Sequence, residues 1–181
     1  MIINYEDITL RAIEAEDKEM LLEMINDPLI EHMTGGGGFP VSHAQQEEWI
    51  KNQRNCTNEI RLVIDTQEHG AVGTVALTDI DNRSRTAQFH SKIATSKNLR
   101  GHGYGTKATM ALVKYAFDQM NLNCVYSYIV EYNIASQRVK EKCGFLKDGI
   151  LRERVYKDGA YHNIAAWSIT KEDFISFCKS L

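Results

Sequence analysis

The stretch NLRGHGYGT (Asn98–Thr106) places three glycines at alternate positions directly after an arginine. Glycine tolerates positive φ and lets another group approach the main chain, at a cost in conformational entropy on folding. Gly101, Gly103 and Gly105 therefore mark either a tight turn or a place where a ligand meets bare backbone. The run behind them, TKATMALVKYAFDQM, carries Ala108, Leu112 and Ala116 as an apolar stripe at helical spacing. Gly101 to Thr106 is thus the expected N-terminus of a helix. The first N–H groups of a helix lack intrahelical partners and sit at the positive end of its macrodipole. That combination is an anion site, particularly for phosphates. Two common phosphate loops do not match it. The P-loop pattern GxxxxGK[ST] is not met by Gly105-Thr106-Lys107, and GxGxxG would need glycine where Thr106 stands. What fits is R-x-x-G-x-G, from Arg100 to Gly105. Other chemistries lack their residues. The six histidines form no HExxH or His/Cys cluster, so no metal is expected, and no G-x-S-x-G supports a serine hydrolase.

The elements that must position this loop alternate between strand and helix. ITLRAI (Ile8–Ile13) alternates like a first strand. EDKEMLLEMIND (Glu16–Asp27) follows with helical spacing and Pro28 just beyond its end. EHMTGGGGFPVS reads as a flexible loop ending in Ser42, a cap for HAQQEEWIKNQ. EIRLVID and AVGTVALTDI are two strands joined around TQEHG. TAQFHSKIA (Thr86–Ala94) is a fourth, with Phe89, Ser91 and Ile93 on one face and Gln88, His90 and Lys92 on the other. After the glycines and their helix come a buried strand, CVYSYIVEY, and a short helix, IASQRVKEKCG, with Gly144 as its C-terminal cap. Two strands around the Asp158-Gly159 turn and a terminal helix close the chain.

At 181 residues, without repeats, low-complexity linkers or a compositional boundary, the chain reads as one mixed α/β domain over residues 1–181. A net charge of −3 gives no basic field for nucleic acid or an anionic membrane, so neither is an expected partner. Such a mildly acidic surface suits a cationic acceptor. No apolar run reaches membrane-spanning length, and the chain reads as soluble and cytoplasmic. Cys56, Cys124, Cys143 and Cys178 are scattered without CxxC spacing, which suits buried thiols in a reducing compartment.

The glycine loop, between a strand and a helix, resembles the pyrophosphate-binding motif of the GNAT N-acetyltransferases. NIASQRVKEKCGF (Asn133–Phe145) is similar to the family's N-x-x-S…E-K-x-G-F segment, one helix and one strand downstream. DGILRERVYKDGAYHNIAAWSI and FPVSHAQQEEW resemble the closing hairpin and second-helix region of the RimJ/RimL-like branch, which also holds spermidine acetyltransferases. The resemblance implies a mixed, mostly antiparallel seven-stranded sheet splayed between strands 4 and 5, with helices on both faces. It implies acetyl-CoA in the split as cosubstrate and an amine acceptor, in a monomer or homodimer. Main-chain groups near Ile93 and Ala94 would hold the pantetheine arm. Arg100 and the N–H groups of Gly101, His102, Gly103, Tyr104, Gly105 and Thr106 would take the pyrophosphate. Asn133 matches the residue that contacts the pantetheine or acetyl region, and would equally serve as a turn former.

The implied chemistry is direct attack of an amine on a thioester, with a base for the amine, an acid for the thiolate and a donor for the oxyanion. The family's usual tyrosine acid, four residues before the Gly-Phe pair, is Lys140 here. Ser136, the serine of N-x-x-S, is the branch's alternative, and it would equally satisfy backbone groups in its helix's first turn. Where relatives carry a glutamate, this chain has Gln88. His90, facing the same way and titrating near neutrality, is the first candidate base, ahead of Glu131 and Asp79. The acceptor should be bordered by the first two helices, the intervening loop and the final hairpin. Thr34–Pro40 would open and close over it, and Trp49, Tyr126, Tyr128, Tyr156 and Tyr161 are candidate walls. A peptide N-terminus, a polyamine and an amino sugar compete as acceptor. A CoA-binding protein that regulates without turnover is the alternative to an enzyme.

Overall fold

The first five strands pair in sequence order, joined by short polar turns except between the second and third, where the chain makes three helices. In the computed structural model, which describes residues 2–36, 38–53, 56–96, 99 and 101–180, β1 (Ile2–Tyr5), β2 (Ile8–Ala12), β3 (Ile60–Thr66), β4 (Gly70–Asp81) and β5 (Thr86–Ile93) pair antiparallel in sequence order. Helix α4 (Tyr104–Asp118) then carries the chain over to β6 (Cys124–Val130), which lies parallel to β5. A parallel neighbour requires such a crossover. β8 (Ala160–Thr170) pairs antiparallel with β6, and β7 (Leu146–Lys157) forms the outer edge.

The sheet has eight strands rather than the seven expected. The extra one is β1, turned onto β2 through Glu6 at φ 50°. Four residues of half-exposed strand are too short for alternation to stand out. The region read as one helix and a loop also differs. After a 3₁₀ turn at Ala15–Asp17, α1 covers Lys18–Asn26, and a separate α2 spans Pro28–Met33. Pro28 begins that helix instead of merely following one. Asp27 caps it, accepting from the N–H groups of Leu29 (2.7 Å) and Ile30 (3.1 Å), and proline fits the first helical position because its N–H is not needed there. α3 (His43–Asn52) starts on the expected Ser42, in a reciprocal box with Gln45.

Residues of one strand face all go to α4. Ile8 and Leu10, Leu62 and Ile64, Val75 and Leu77, and Ala87 and Phe89 form one core with Ala108, Leu112, Ala116 and Phe117. Each such large side chain, fully buried, contributes about 1.5–3 kcal/mol. α5 (Ile134–Lys142) and α6 (Lys171–Ser180) join this side, the latter through Phe174 against Phe117 at 5.5 Å between rings. Gly144 ends α5 at φ 80°, as expected. Asp158 and Gly159, both at positive φ, make the expected hairpin turn. α1, α2 and α3 cover the opposite face. The cysteines are free, but only Cys143 is fully buried; Cys56 and Cys178 are exposed.

Candidate functional site

β5 and β6 pair only at Thr86–Cys124, Ala87–Val125 and Gln88–Tyr126. Beyond Gln88 the strands part, with Ser127 Oγ donating to the Phe89 carbonyl (3.0 Å) at the fork. Backbone polar groups alternate sides along a strand. Ala94 N–H donates to the Val72 carbonyl (2.9 Å), toward β4, so the main-chain groups of Ser91 and Ile93 face the split. This corrects the expectation for Ala94, whose N–H is committed to β4, and leaves Ile93 facing the gap. Gly73 lets β5 lean away from β6. A Cβ there would stand 2.2 Å from the Lys92 carbonyl oxygen, so any larger residue would push β5 back toward the gap.

On the α4 face, Gly101 (φ 92°) and Gly103 (φ 75°) take left-handed conformations that a side chain would strain. Gly103 is the N-cap of α4 and offers no side-chain cap, so the N–H groups of Tyr104, Gly105 and Thr106 have no partner among the described residues. Gly105 is needed less: a Cβ there would meet Val139 and Ile93 only at ordinary contact distance. His102 stacks on Tyr104 at 5.4 Å, and His69 touches both rings and reaches the Tyr104 hydroxyl (3.0 Å). This aromatic group fixes the loop from below, since Tyr104 is buried. Lys107 turns away to Asp7 at 2.6 Å. Arg100 lies outside the described residues, as do Asn98 and, in the Thr34–Pro40 loop, Gly37. The site fits a phosphate-bearing ligand through main-chain donors and the helix end rather than through a described cation.

The other face of the sheet holds a cavity of about 430 Å³. Leu21, Met24 and Ile25 of α1 and Trp49 of α3 roof it, while Thr74 and Ala76 of β4 form its floor. Arg61, His90 and Lys92 stand along its sides. His90 therefore faces where an acceptor would sit, with Nε2 2.9 Å from Thr78 Oγ1. It does not titrate near neutrality. Burial first, then the cations Arg61, Lys140 and Lys92, pull it down to about 4, so its imidazole is neutral at pH 7. Of the aromatic candidates Trp49 lines this cavity. Tyr161, with Glu131, His162 and Asn163, lines a separate recess beside the hairpin, and Asn163 donates to Glu131 at 2.8 Å. The remaining candidates, Tyr126, Tyr128, Tyr156 and Asp79, do not border the cavity among the described residues.

Asn133 caps α5, accepting from Ser136 N–H (3.1 Å), and its amide donates to the Met33 carbonyl (2.8 Å). Each end of its side chain makes one of these bonds, which leaves a second N–H and a second lone pair for a ligand. Ser136 lies half-buried in the first turn of α5. Lys140, where a tyrosine acid was expected in the family, is 2% exposed. Among the described residues its Nζ has no hydrogen-bond partner, and it rests 3.6 Å from the centre of the Phe89 ring and 4.7 Å from that of Phe145. Burial pushes its pKa down to about 7. Phe89 opens the fork, so this ammonium lies beneath it. The sequence reading did not assign Arg61 or Lys92 to the site. Lys92 was within reach, since it shares a strand face with His90. Arg61 needed the register Arg61–Ala76–His90 across three strands, which no local pattern shows.

A sheet forked between two parallel strands, with a bare helix N-terminus on one side and a cavity on the other, defines an acyltransferase of the acetyl-CoA type. The acetyltransferase (GNAT) domain family matches residues 7–146. The chain belongs to that family and is an N-acetyltransferase that uses acetyl-CoA. It is 27% identical over 169 residues to the SPbeta prophage-derived N-acetyltransferase YokL of Bacillus subtilis (strain 168), covering 93% of both chains. It is 29% identical over 175 residues to the putative ribosomal N-acetyltransferase YdaF of the same organism, covering 93% of this chain and 94% of that one. Its fold superposes on spermidine N-acetyltransferase from Vibrio cholerae, solved with CoA and spermine, with a TM-score of 0.86 and 24% identity over 93% of this chain and 98% of that one.

Proposed function

We propose that this single domain transfers acetyl from acetyl-CoA to the primary amine of a small molecule or protein N-terminus, held between α1, α3 and the β3–β5 face, in the manner of the RimJ/RimL-like branch. One observation carries this reading: β5, whose pairing with β6 stops at Gln88, brings His90, Ser91 and Lys92 into the cavity wall and leads on to the bare end of α4. Main-chain N–H groups of Gly103 to Thr106 bind the pyrophosphate, and those of Ser91 and Ile93 lie along the pantetheine arm and oxyanion. The amine loses a proton before or during attack, and neutral His90 is placed to receive it, directly or through water. The departing thiolate takes a proton at the fork, where Ser136 is the candidate donor. The relative YdaF, named for ribosomal acetylation, and the spermidine enzyme that shares the fold support an amine acceptor without selecting one.

The test is a calorimetric titration with acetyl-CoA, wild type beside Gly103→Asp, followed by thiol-release assays on an amine panel. Binding by the wild type alone, then turnover of some amine, is the expected result. A folded wild type that binds no acetyl-CoA would overturn the reading. Tight binding with no amine turned over would favour a regulatory protein.

A further inference from the structure

The polar walls of the α1/α3 cavity carry charge of one sign. Among the described residues its lining includes Arg61, Lys92 and His90 and not a single Asp or Glu, although the whole chain has 24 acidic residues against 21 Lys and Arg. The strand register sets these groups around a low floor. Arg61 on β3, Ala76 on β4 and His90 on β5 form one row, and Val63, Thr74 and Lys92 form the next. Ala76 and Thr74 are short, so the space above them lies open between the guanidinium on one side and His90 and Lys92 on the other. Lys92 has no hydrogen-bonding or ionic partner among the described residues, and burial, then Arg61, holds its ammonium below the usual lysine range. Arg61 is fixed in orientation by Glu59, whose carboxylate meets Nε at 3.1 Å and Nη2 at 2.8 Å, leaving Nη1 outside that pair. Glu59 is thereby engaged, and Asp79 sits behind His90, near Thr78 Oγ1 at 3.4 Å.

Building on the proposed acyl transfer, we infer that the acceptor is an amino-acid-like molecule. It presents a primary amine to the fork, a carboxylate to Lys92 and Arg61, and an apolar body to Leu21, Met24, Ile25 and Trp49. With Arg61 already paired to Glu59, it is Lys92 that meets a counter-charge only when such an anion enters, and the carboxylate fixes the amine's orientation by a charge-assisted contact. A polyamine would set its own cations against Arg61 and Lys92 with no carboxylate facing it, a like-charge contact that rejects the ligand. A cavity of about 430 Å³ is within the range of small-molecule sites, roughly 300–1,000 Å³.

The experiment compares free apolar L-amino acids, their carboxamides and spermidine as acceptors by thiol release, with calorimetric binding of each to the CoA complex alongside. The free amino acids should exceed the carboxamides by about tenfold or more in kcat/KM, the worth of one charge-assisted contact. Lys92→Met should erase that preference through KM while acetyl-CoA binding stays as in the wild type. Lys92→Glu should turn the preference toward cationic amines. Equal use of acid and carboxamide, better use of spermidine, or an unchanged preference in Lys92→Met would each overturn the inference and leave acetyl transfer standing. Carboxylate-dependent binding without turnover would sustain the anion subsite and overturn the transfer reading instead. Binding of none of the probes would overturn the subsite.

Discussion

On the α4 face of the fork, what a ligand meets is main chain: Gly101, Gly103 and the first turn of α4, all within six residues. On the α1/α3 face it meets side chains drawn from Ile13 to Lys92, five elements and some eighty positions apart in sequence. In the proposed reading the first face binds the cosubstrate, and its geometry needs only positive φ and an uncapped helix end. In that reading the second chooses the acceptor, through charged walls set around short floor residues under an apolar roof. The difference teaches where to look for shared chemistry and where for specificity.

The comparison breaks most visibly at Gly103. Gly103→Asp puts a carboxylate where the pyrophosphate belongs, and aspartate is among the residues that best tolerate the left-handed region. Acetyl-CoA affinity should fall about a hundredfold or more by calorimetry. Gly159→Asp, at φ 80° with open space around it, is the control for strain and should leave affinity unchanged. If both lose affinity alike, the helix end is not the anion site.

Lys140, under the fork, belongs to neither face and tests the cost of its burial. Its folded pKa lies near 7 against about 10.4 for a free lysine. Between those values the unfolded chain binds the extra proton, so stability rises with pH from about 7 to about 10. Below pH 7 both states are charged and the full penalty is present. Lys140→Met should flatten that rise in urea titrations and stabilise the protein at pH 7 by about 1–4 kcal/mol, less whatever the Phe89 and Phe145 rings return to the cation. Destabilisation of Lys140→Met at pH 6 would show that the ammonium has a partner.

His90 sharpens the side-chain face. With its pKa near 4 it is neutral through the physiological range, so no acid limb near pH 6.5 in kcat/KM should belong to it. Activity should instead fall as pH drops toward 4, and His90→Gln should reduce kcat at neutral pH by roughly tenfold to a hundredfold. A limb near 6.5 that vanishes in His90→Gln would contradict this environment. The smallest effect is expected at Ser136, half-buried in the first turn of α5. Ser136→Ala should lower kcat by less than about tenfold, with pH dependence unchanged, since one hydroxyl contributes about a neutral hydrogen bond's worth.

The asymmetry between the faces also explains what could be read from the chain. Glycine spacing ahead of an apolar stripe is a local signal, so the helix end, the Ser42 box, Gly144 and the Asp158-Gly159 turn were all legible. β1 was hidden because four residues carry too little alternation, and α2 because Pro28 reads as a stop as readily as a start. Ala94 went astray because the direction of one amide depends on which neighbour its strand pairs with. His90 was placed on the right face with the wrong acidity, since its burial and two of its three cations, Arg61 and Lys140, come from other elements. Arg61 escaped notice altogether because its role rests on a three-strand register.

The fork has a consequence for handling the enzyme. Past Gln88 and Tyr126 it carries two raw strand borders inside its own sheet, each with polar main chain seeking a mate. In the proposed binding mode acetyl-CoA lies along them as a borrowed strand. Colloidal behaviour should therefore follow cosubstrate supply: concentrated stocks kept with CoA stay dispersed, and stocks stripped of it clump through this seam.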